Sequence, residues 1–263
     1  MTVTVTHIGG PTTLIEVAGL RLLTDPTFDE PGRRYAFGLG TSSVKTTGPA
    51  LPVDALGHID AVLLTHDHHS DNLDDAGRAL LPSVPQVLTT VSGARRLDKA
   101  HPSALSSRPG LSGGNTIGLA PWQETSVGGL TVTATPARHG PPLSRPIVGE
   151  TIGFALRPPG SRTVIWISGD TVLFPGIREV ATRFTVDTVI LHLGSVQFGI
   201  TGPLRYTMTG RDGARLVSLL KPRRVVPVHY EGWSHFQEGR AGVEKAFPSG
   251  VLTWLTPGVP QTL

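Results

Sequence analysis

The chain has 263 residues, of which 38% are hydrophobic and 16% charged, a composition that excludes a disordered segment and suits one large core or two modest ones. It has no cysteine, which rules out disulfides, thiolate nucleophiles and cysteine-bound zinc, so any metal must be held by His, Asp, Glu or Asn. The formal charge is +3 with a pI of about 9.6, but the basic residues are scattered, with adjacent pairs only at Arg33-Arg34, Arg95-Arg96 and Arg223-Arg224; without a basic stripe no nucleic-acid partner is expected, and what remains is a mild attraction for anionic small molecules.

In chain order, Thr2 to His7 alternates polar and apolar residues, the two-residue period of a half-buried strand. This start has neither the basic region nor the apolar core of a secretion signal, so the cytoplasm is the expected compartment. Thr12 to Val17 and Leu20 to Thr24 read as a hairpin around Ala18-Gly19, closed by Asp25-Pro26. Residues 27–50 read as a long loop. Ala61 to Thr65 is a short continuous apolar run, the mark of a buried strand, and a His/Asp-dense turn follows from His66 to Asp75. Short helices are expected over Leu73 to Leu81 and over Ser92 to Lys99, the latter capped by Ser92, with a strand over Val87 to Thr90 between them.

A Gly/Ser-rich stretch covers 106–118, and Leu130 to Ala134 alternates again before His139. Pro141, Pro142 and Pro146 argue against regular structure there. Thr151 to Leu156 and Thr163 to Ile167 read as paired strands, the second ending at Ser168-Gly169-Asp170. Val189 to Leu193 is a buried strand, Thr209 to Leu220 a helix capped by Thr209, and Arg224 to Val228 a last strand ending at His229. No repeat or linker divides the chain, and no run of about 18 apolar residues spans a membrane. One α/β domain over residues 1–263 with two mixed sheets is the simplest reading.

The chemistry-bearing residues recur in one setting, at the carboxyl ends of apolar strands, where α/β architectures place their ligands. His66 and His68, two apart in extended chain, can present both imidazoles to one metal. Asp71 faces a second metal, His139 completes the nitrogen-rich site, Asp170 bridges the two, and His229 finishes the second site. His69 and Asn72 are further candidates for ligands. Two divalent ions, zinc with manganese or iron as alternatives, would activate a bridging water that Asp71 orients. His192 and His235 are candidates for proton transfer or substrate contact. His7 lies at the site's rim or merely ends a strand, His58 and His101 are expected at the surface, and Asp25 is expected to fix a turn.

The ordered set HIGGPTTLIEVAGLRLLTDP, LLTHDHHSDNLD, ATPARHG, ISGDT, YTMTGRDGARL and PVHYEGW covers nearly the whole chain. It resembles the metallo-β-lactamase superfamily, in particular the branch of ascorbate-6-phosphate lactonase-like proteins and N-acylphosphatidylethanolamine-hydrolysing phospholipase D. The resemblance implies an αβ/βα four-layer sandwich, two mixed β-sheets flanked by helices, and a metal-dependent hydrolase acting on an ester, lactone or phosphodiester. The superfamily motif HxHxDH is altered here. Strict spacing puts Ser70 in the Asp position and Asp71 in the last His position; with His69 as an inserted residue, Asp71 keeps the Asp position and Asn72 replaces the last His. Either alignment loses a histidine near the second metal, which His69 can swing in to replace. That alteration also motivates a non-catalytic alternative, a module that keeps one metal or none and binds an anion through Arg138 or Arg205. Oligomeric state is open.

Overall fold

The computed structural model describes residues 2–100 and 115–263. His101 and most of the Gly/Ser-rich stretch lie outside the described residues. The elements are β1 (Thr4–Gly9), β2 (Thr12–Val17), β3 (Leu20–Thr24), β4 (Arg34–Gly38), β5 (Thr41–Val44), β6 (Ala61–Leu63), α1 (Asp75–Leu80), β7 (Gln86–Thr90), α2 (Val91–Ala100), β8 (Thr116–Leu119), β9 (Glu124–Val127), β10 (Leu130–Pro136), α3 (Arg145–Val148), β11 (Ile152–Arg157), β12 (Thr163–Ile167), α4 (Pro175–Arg183), β13 (Thr185–His192), α5 (Gly210–Leu220), β14 (Arg224–Val228), α6 (Arg240–Ala246) and β15 (Gln261–Thr262).

Two mixed sheets carry the fold. One runs β15-β1-β2-β3-β6-β7-β8 and the other β14-β13-β12-β11-β10-β9. Each is antiparallel along one half and parallel along the other: β3, β6, β7 and β8 are parallel neighbours in the first, and β12, β13 and β14 in the second. The apolar runs seen in the sequence are buried on both faces, as parallel strands require. Alternation divides them between layers. Leu22, Ala61 and Leu63 pack between the sheets against Phe154, Ile165 and Ile190, while their neighbours Leu23, Val62 and Leu64 pack outward with Leu97 of α2 and Leu81. On the other side Trp166, Val189 and Leu191 face Ile177 of α4, Leu216 of α5 and Val243 of α6. The result is the expected helix–sheet–sheet–helix sandwich.

Local signals explain most boundaries. Thr209 caps α5 in a reciprocal capping box with Asp212, as expected. Asp74, rather than a residue earlier in the turn, caps α1 through Gly77 N–H. Three expectations need correction. Residues 27–50 hold the hairpin β4–β5, closed by Leu39 and Gly40 in left-handed conformation, and were missed because only Tyr35 and Ser43 of it are buried. The helix α2 begins at Val91, with Ser92 inside its first turn and Thr90 Oγ1 accepting from Gly93 N–H. The proline-rich stretch admits the short helix α3 because Pro146 sits in its first turn, where no N–H is needed.

Strand direction then fixes one rim. The carboxyl ends of β3 and β6 deliver Asp25 and His66, and those of β12, β13 and β14 deliver Asp170, His192 and His229. Because β10 is antiparallel to β11, which is antiparallel to β12, β10 also ends at that rim and delivers His139. The two sheets are tied there by Ile152 N–H donating to the Thr65 carbonyl.

Candidate metal centre

Two groups of three ligand-capable side chains lie buried at this rim: His66, His69 and His139, and Asp71, Asp170 and His229. In the first group His69 Nδ1 is 3.3 Å from His66 Nε2 and 3.0 Å from His139 Nε2. In the second, His229 Nε2 is 3.5 Å from Asp71 Oδ2 and 3.3 Å from Asp170 Oδ2.

The far side of each ring is anchored. His139 Nδ1 donates to the Tyr206 carbonyl at 2.8 Å, and His229 Nδ1 to the Leu193 carbonyl at 3.2 Å, so their Nε2 atoms face the centre. His66 Nδ1 contacts Thr65 Oγ1, whose hydroxyl and backbone N–H both bond to Asp25 Oδ1 at 2.9 and 2.7 Å. Asp25 thus holds the start of the histidine turn. Backbone geometry concentrates here too. His229 has φ 58°, a left-handed conformation that costs a non-glycine residue about 1–3 kcal/mol. Gly169, just before Asp170, has φ 62°, and a Cβ there would lie 2.5 Å from the Ile152 carbonyl.

The residues fit a pair of cations. Asp71 Oδ1, both Asp170 carboxylate oxygens and His229 Nε2 are buried without a hydrogen-bond partner, a costly arrangement unless something else satisfies them. Burial, reinforced by mutual repulsion among the histidines, holds the His66 and His69 pKa values well below the usual 6.5, and burial lowers that of His139. These are neutral imidazoles with lone pairs turned inward. A tetrahedral ion with bonds of about 2.0–2.1 Å would separate such nitrogens by about 3.3 Å, close to what is seen. In the second group burial favours a neutral His229, but Asp170 and Asp71 outweigh it and push the pKa up to about 9. Burial likewise opposes the Asp71 carboxylate, yet contacts with His229 and His235 hold its pKa well below the usual value.

Other sequence candidates fall around these groups. His68 turns outward, its Nε2 against the Val148 carbonyl and its ring over Gly149, so His69 stands beside His66 and His139 where the two-residue spacing led to His68. Asn72 is buried with its amide 3.4 Å from Thr65 Oγ1 and belongs to neither group. His192 is fully buried, 3.3 Å from Asp25 Oδ2, with its pKa lowered by burial to about 3. His235 bridges outward from the second group, its Nε2 at 2.9 Å from Asp71 Oδ2 and its Nδ1 at 2.5 Å from Ser43 Oγ. His7 is buried against the Gly10 carbonyl, and His58 is exposed beside Asp60.

A small cavity of about 50 Å³ opens on both groups: His69 and His139 line it from one, Asp71 from the other, together with His235. The rest of its wall is largely apolar, from Phe37, Leu39, Ile147, Val196, Phe198 and Tyr206, and no Lys or Arg lines it among the described residues. Phe37 and Phe198 flank the His235 ring at 5.1 Å each, Phe198 stacked within 7° of parallel. The sequence reading missed both, along with the buried ion pair between Lys45 and Asp74 at 2.8 Å that braces the turn. Arg205 bonds to Ser195 and stays outside the cavity. No helix of the described residues is long and apolar enough to cross a membrane.

Residues 20–230 match the family model of the beta-lactamase superfamily domain. A UPF0173 metal-dependent hydrolase from Pyrobaculum calidifontis is 30% identical over 82% of this chain and 79% of its own length, and another from Caldivirga maquilingensis is 27% identical over 85% and 80%. Among solved structures, isothiocyanate hydrolase from Delia radicum gut bacteria superposes with a TM-score of 0.78 at 23% identity, covering 99% of this chain and 98% of that one. The metallo-beta-lactamase fold protein YhfI from Bacillus subtilis superposes with a TM-score of 0.63 at 15% identity, covering 99% and 98%. The chain belongs to the UPF0173 family of metal-dependent hydrolases, within the metallo-β-lactamase superfamily.

Proposed function

We propose that the protein is a binuclear hydrolase that cleaves a small, uncharged carboxylic ester or lactone. His66, His69 and His139 would hold one ion, and Asp71, Asp170 and His229 the other; this donor set suits zinc, with manganese and iron as alternatives. The observation that carries the reading is the pair of buried triads, with four orphaned ligand atoms in the second, opening on one cavity. When bound, such ions supply a water acidic enough to attack at neutral pH and stabilise the charge that develops on the acyl oxygen.

The chain's own residues do the rest. Asp71 accepts from His235 and orients the attacking water, and His235, which lines the cavity, passes a proton to the leaving oxygen. His192 acts from behind, through Asp25 and Thr65, to hold His66 in place. Phe37 and Phe198 exclude water and receive the apolar part of the substrate. Among the described residues no Lys or Arg lines the cavity, so beyond the ions the wall offers no charge to a phosphodiester, which favours an uncharged ester or lactone. The ordered motifs support kinship with the lactonase-like and phospholipase D-like branch. An isothiocyanate, the substrate class named for one structural neighbour, is a second neutral electrophile that such a cavity would admit.

The test is metal content per chain by inductively coupled plasma mass spectrometry, followed by turnover of 4-nitrophenyl esters, lactones and bis(4-nitrophenyl) phosphate. About two ions per chain with ester or lactone turnover well above phosphodiester turnover are expected. A chain that takes up no metal on reconstitution overturns the hydrolase reading and favours a non-catalytic binding module.

A further inference from the structure

A second, larger cavity of about 380 Å³ lies on the other side of His139, which lines both. We propose that it binds a small amphipathic carboxylate, with Arg138 and Thr151 taking the head group. The volume is that of a small-molecule site. Val91, Leu119, Pro121, Leu143 and Phe174 give it apolar walls for a hydrocarbon body.

Its polar groups are few and unevenly satisfied. Arg145 and Glu150 at the wall pair with each other, and Glu150 also accepts from Ser92 N–H at 3.2 Å, so these two neutralise one another. Arg138 has no such partner. Its guanidinium lies 5.0 Å from the centre of the Phe174 ring, makes no ion pair among the described residues, and its Nε is buried without a hydrogen bond. The Thr151 hydroxyl, on a residue only 7% exposed, is likewise unpartnered. An arginine Nε–H can only donate, and a threonine hydroxyl donates readily, so the unmet demand is for acceptor oxygens beside one uncompensated positive charge. A carboxylate has two oxygens and one negative charge. A phosphate monoester brings about twice that charge, which the one uncompensated guanidinium matches less well.

The cavity does not include the second triad, so binding should not require metal. The experiment is calorimetric titration of the full chain, after chelator treatment and after zinc reconstitution, with octanoate, octanol, acetate and octyl phosphate. Octanoate is expected to bind both forms, with octanol, acetate and octyl phosphate each weaker by about tenfold or more. Arg138→Met and the near-isosteric Thr151→Val, each checked for native circular dichroism, are expected to weaken octanoate by about tenfold or more and leave octanol unchanged, while Arg205→Met changes neither. The proposal is overturned if both variants bind octanoate as the parent does, if octyl phosphate binds more tightly, if no saturable octanoate binding occurs, or if binding appears only with zinc, which would move the carboxylate to the metal centre. Because the first measurement is made on metal-free protein, loss of hydrolase activity and loss of this site are read separately.

Discussion

The two triads sit side by side at one rim but solve opposite electrostatic problems. The His66, His69 and His139 group has no negative charge of its own, so burial, with mutual repulsion at His66 and His69, keeps it unprotonated. The Asp71, Asp170 and His229 group has two carboxylates, which hold a proton on His229 up to a pKa of about 9. One group is a set of lone pairs that could take a cation directly. The other is a salt-bridged cluster in which a cation would have to displace a proton. The first should therefore fill with less dependence on pH than the second, and substitutions should separate the two.

The largest effect is expected at Asp170, whose two unpartnered oxygens can face both ions. Asp170→Asn keeps the volume and removes the charge. Metal content should fall to about one ion per chain and kcat/KM by about 10³-fold or more, with an unchanged circular dichroism spectrum. Near-parental turnover in a folded, metal-loaded variant would remove Asp170 from the centre.

A smaller contrast divides neighbours in the histidine turn. His69→Ala should lower the metal content by about one ion per chain and activity by about 10²-fold, whereas His68→Ala should leave metal content intact and change activity by only about two- to threefold. The reverse result would return the site to the HxH spacing and mean that His68 rotates inward when metal binds. Mass spectrometry of the two variants prepared in parallel decides it.

That contrast also marks where the sequence stopped being legible. The strands β6, β12 and β14 are continuous apolar runs, and His66, Asp170 and His229 follow them closely, so these positions could be read directly. His139 was readable because the alternating run of β10 marks a strand end shortly before it. The two-residue period, however, belongs to extended chain, and β6 already ends at Leu63. By residue 69 the backbone has turned, with the N–H groups of Asn72 and Leu73 both donating to the His69 carbonyl, so that alternation no longer says which ring faces inward. The hairpin β4–β5 was illegible for a different reason: most of it is solvated, and the residues it turns onto the centre, among them Phe37, Leu39 and Ser43, acquire meaning only beside Phe198 and His235, which are far away in sequence.

The smallest expected effect sharpens the comparison without any metal. For His66, His69 and His139 the folded pKa is depressed, so below about pH 6.5 the unfolded chain takes up protons that the folded chain refuses, and stability falls as pH falls. His229 has the opposite sign: its folded pKa of about 9 gives stability that is full below about 6.5 and is lost as pH rises to 9. The buried pair behind them largely cancels. His192, at about 3, adds stability as pH rises from 3 to about 6.5, while Asp25, raised by burial to about 7, removes it between about 4 and 7. Within the two triads, three groups thus act on the acid side, with buried His7 acting in the same sense, and one on the alkaline side, each worth at most about 1.4 kcal/mol per pH unit within its window. The melting temperature of chelator-treated protein should peak near neutrality, fall by about 5 °C or more between pH 7 and pH 5, and fall by less between pH 7 and pH 9. In His69→Ala the acid slope should flatten, because one refusing group is gone and its repulsion of His66 with it. An acid limb that is flat in the parent, or equally steep in the variant, would mean that the histidine triad is not held neutral as a unit, and that only the carboxylate group is built around charge.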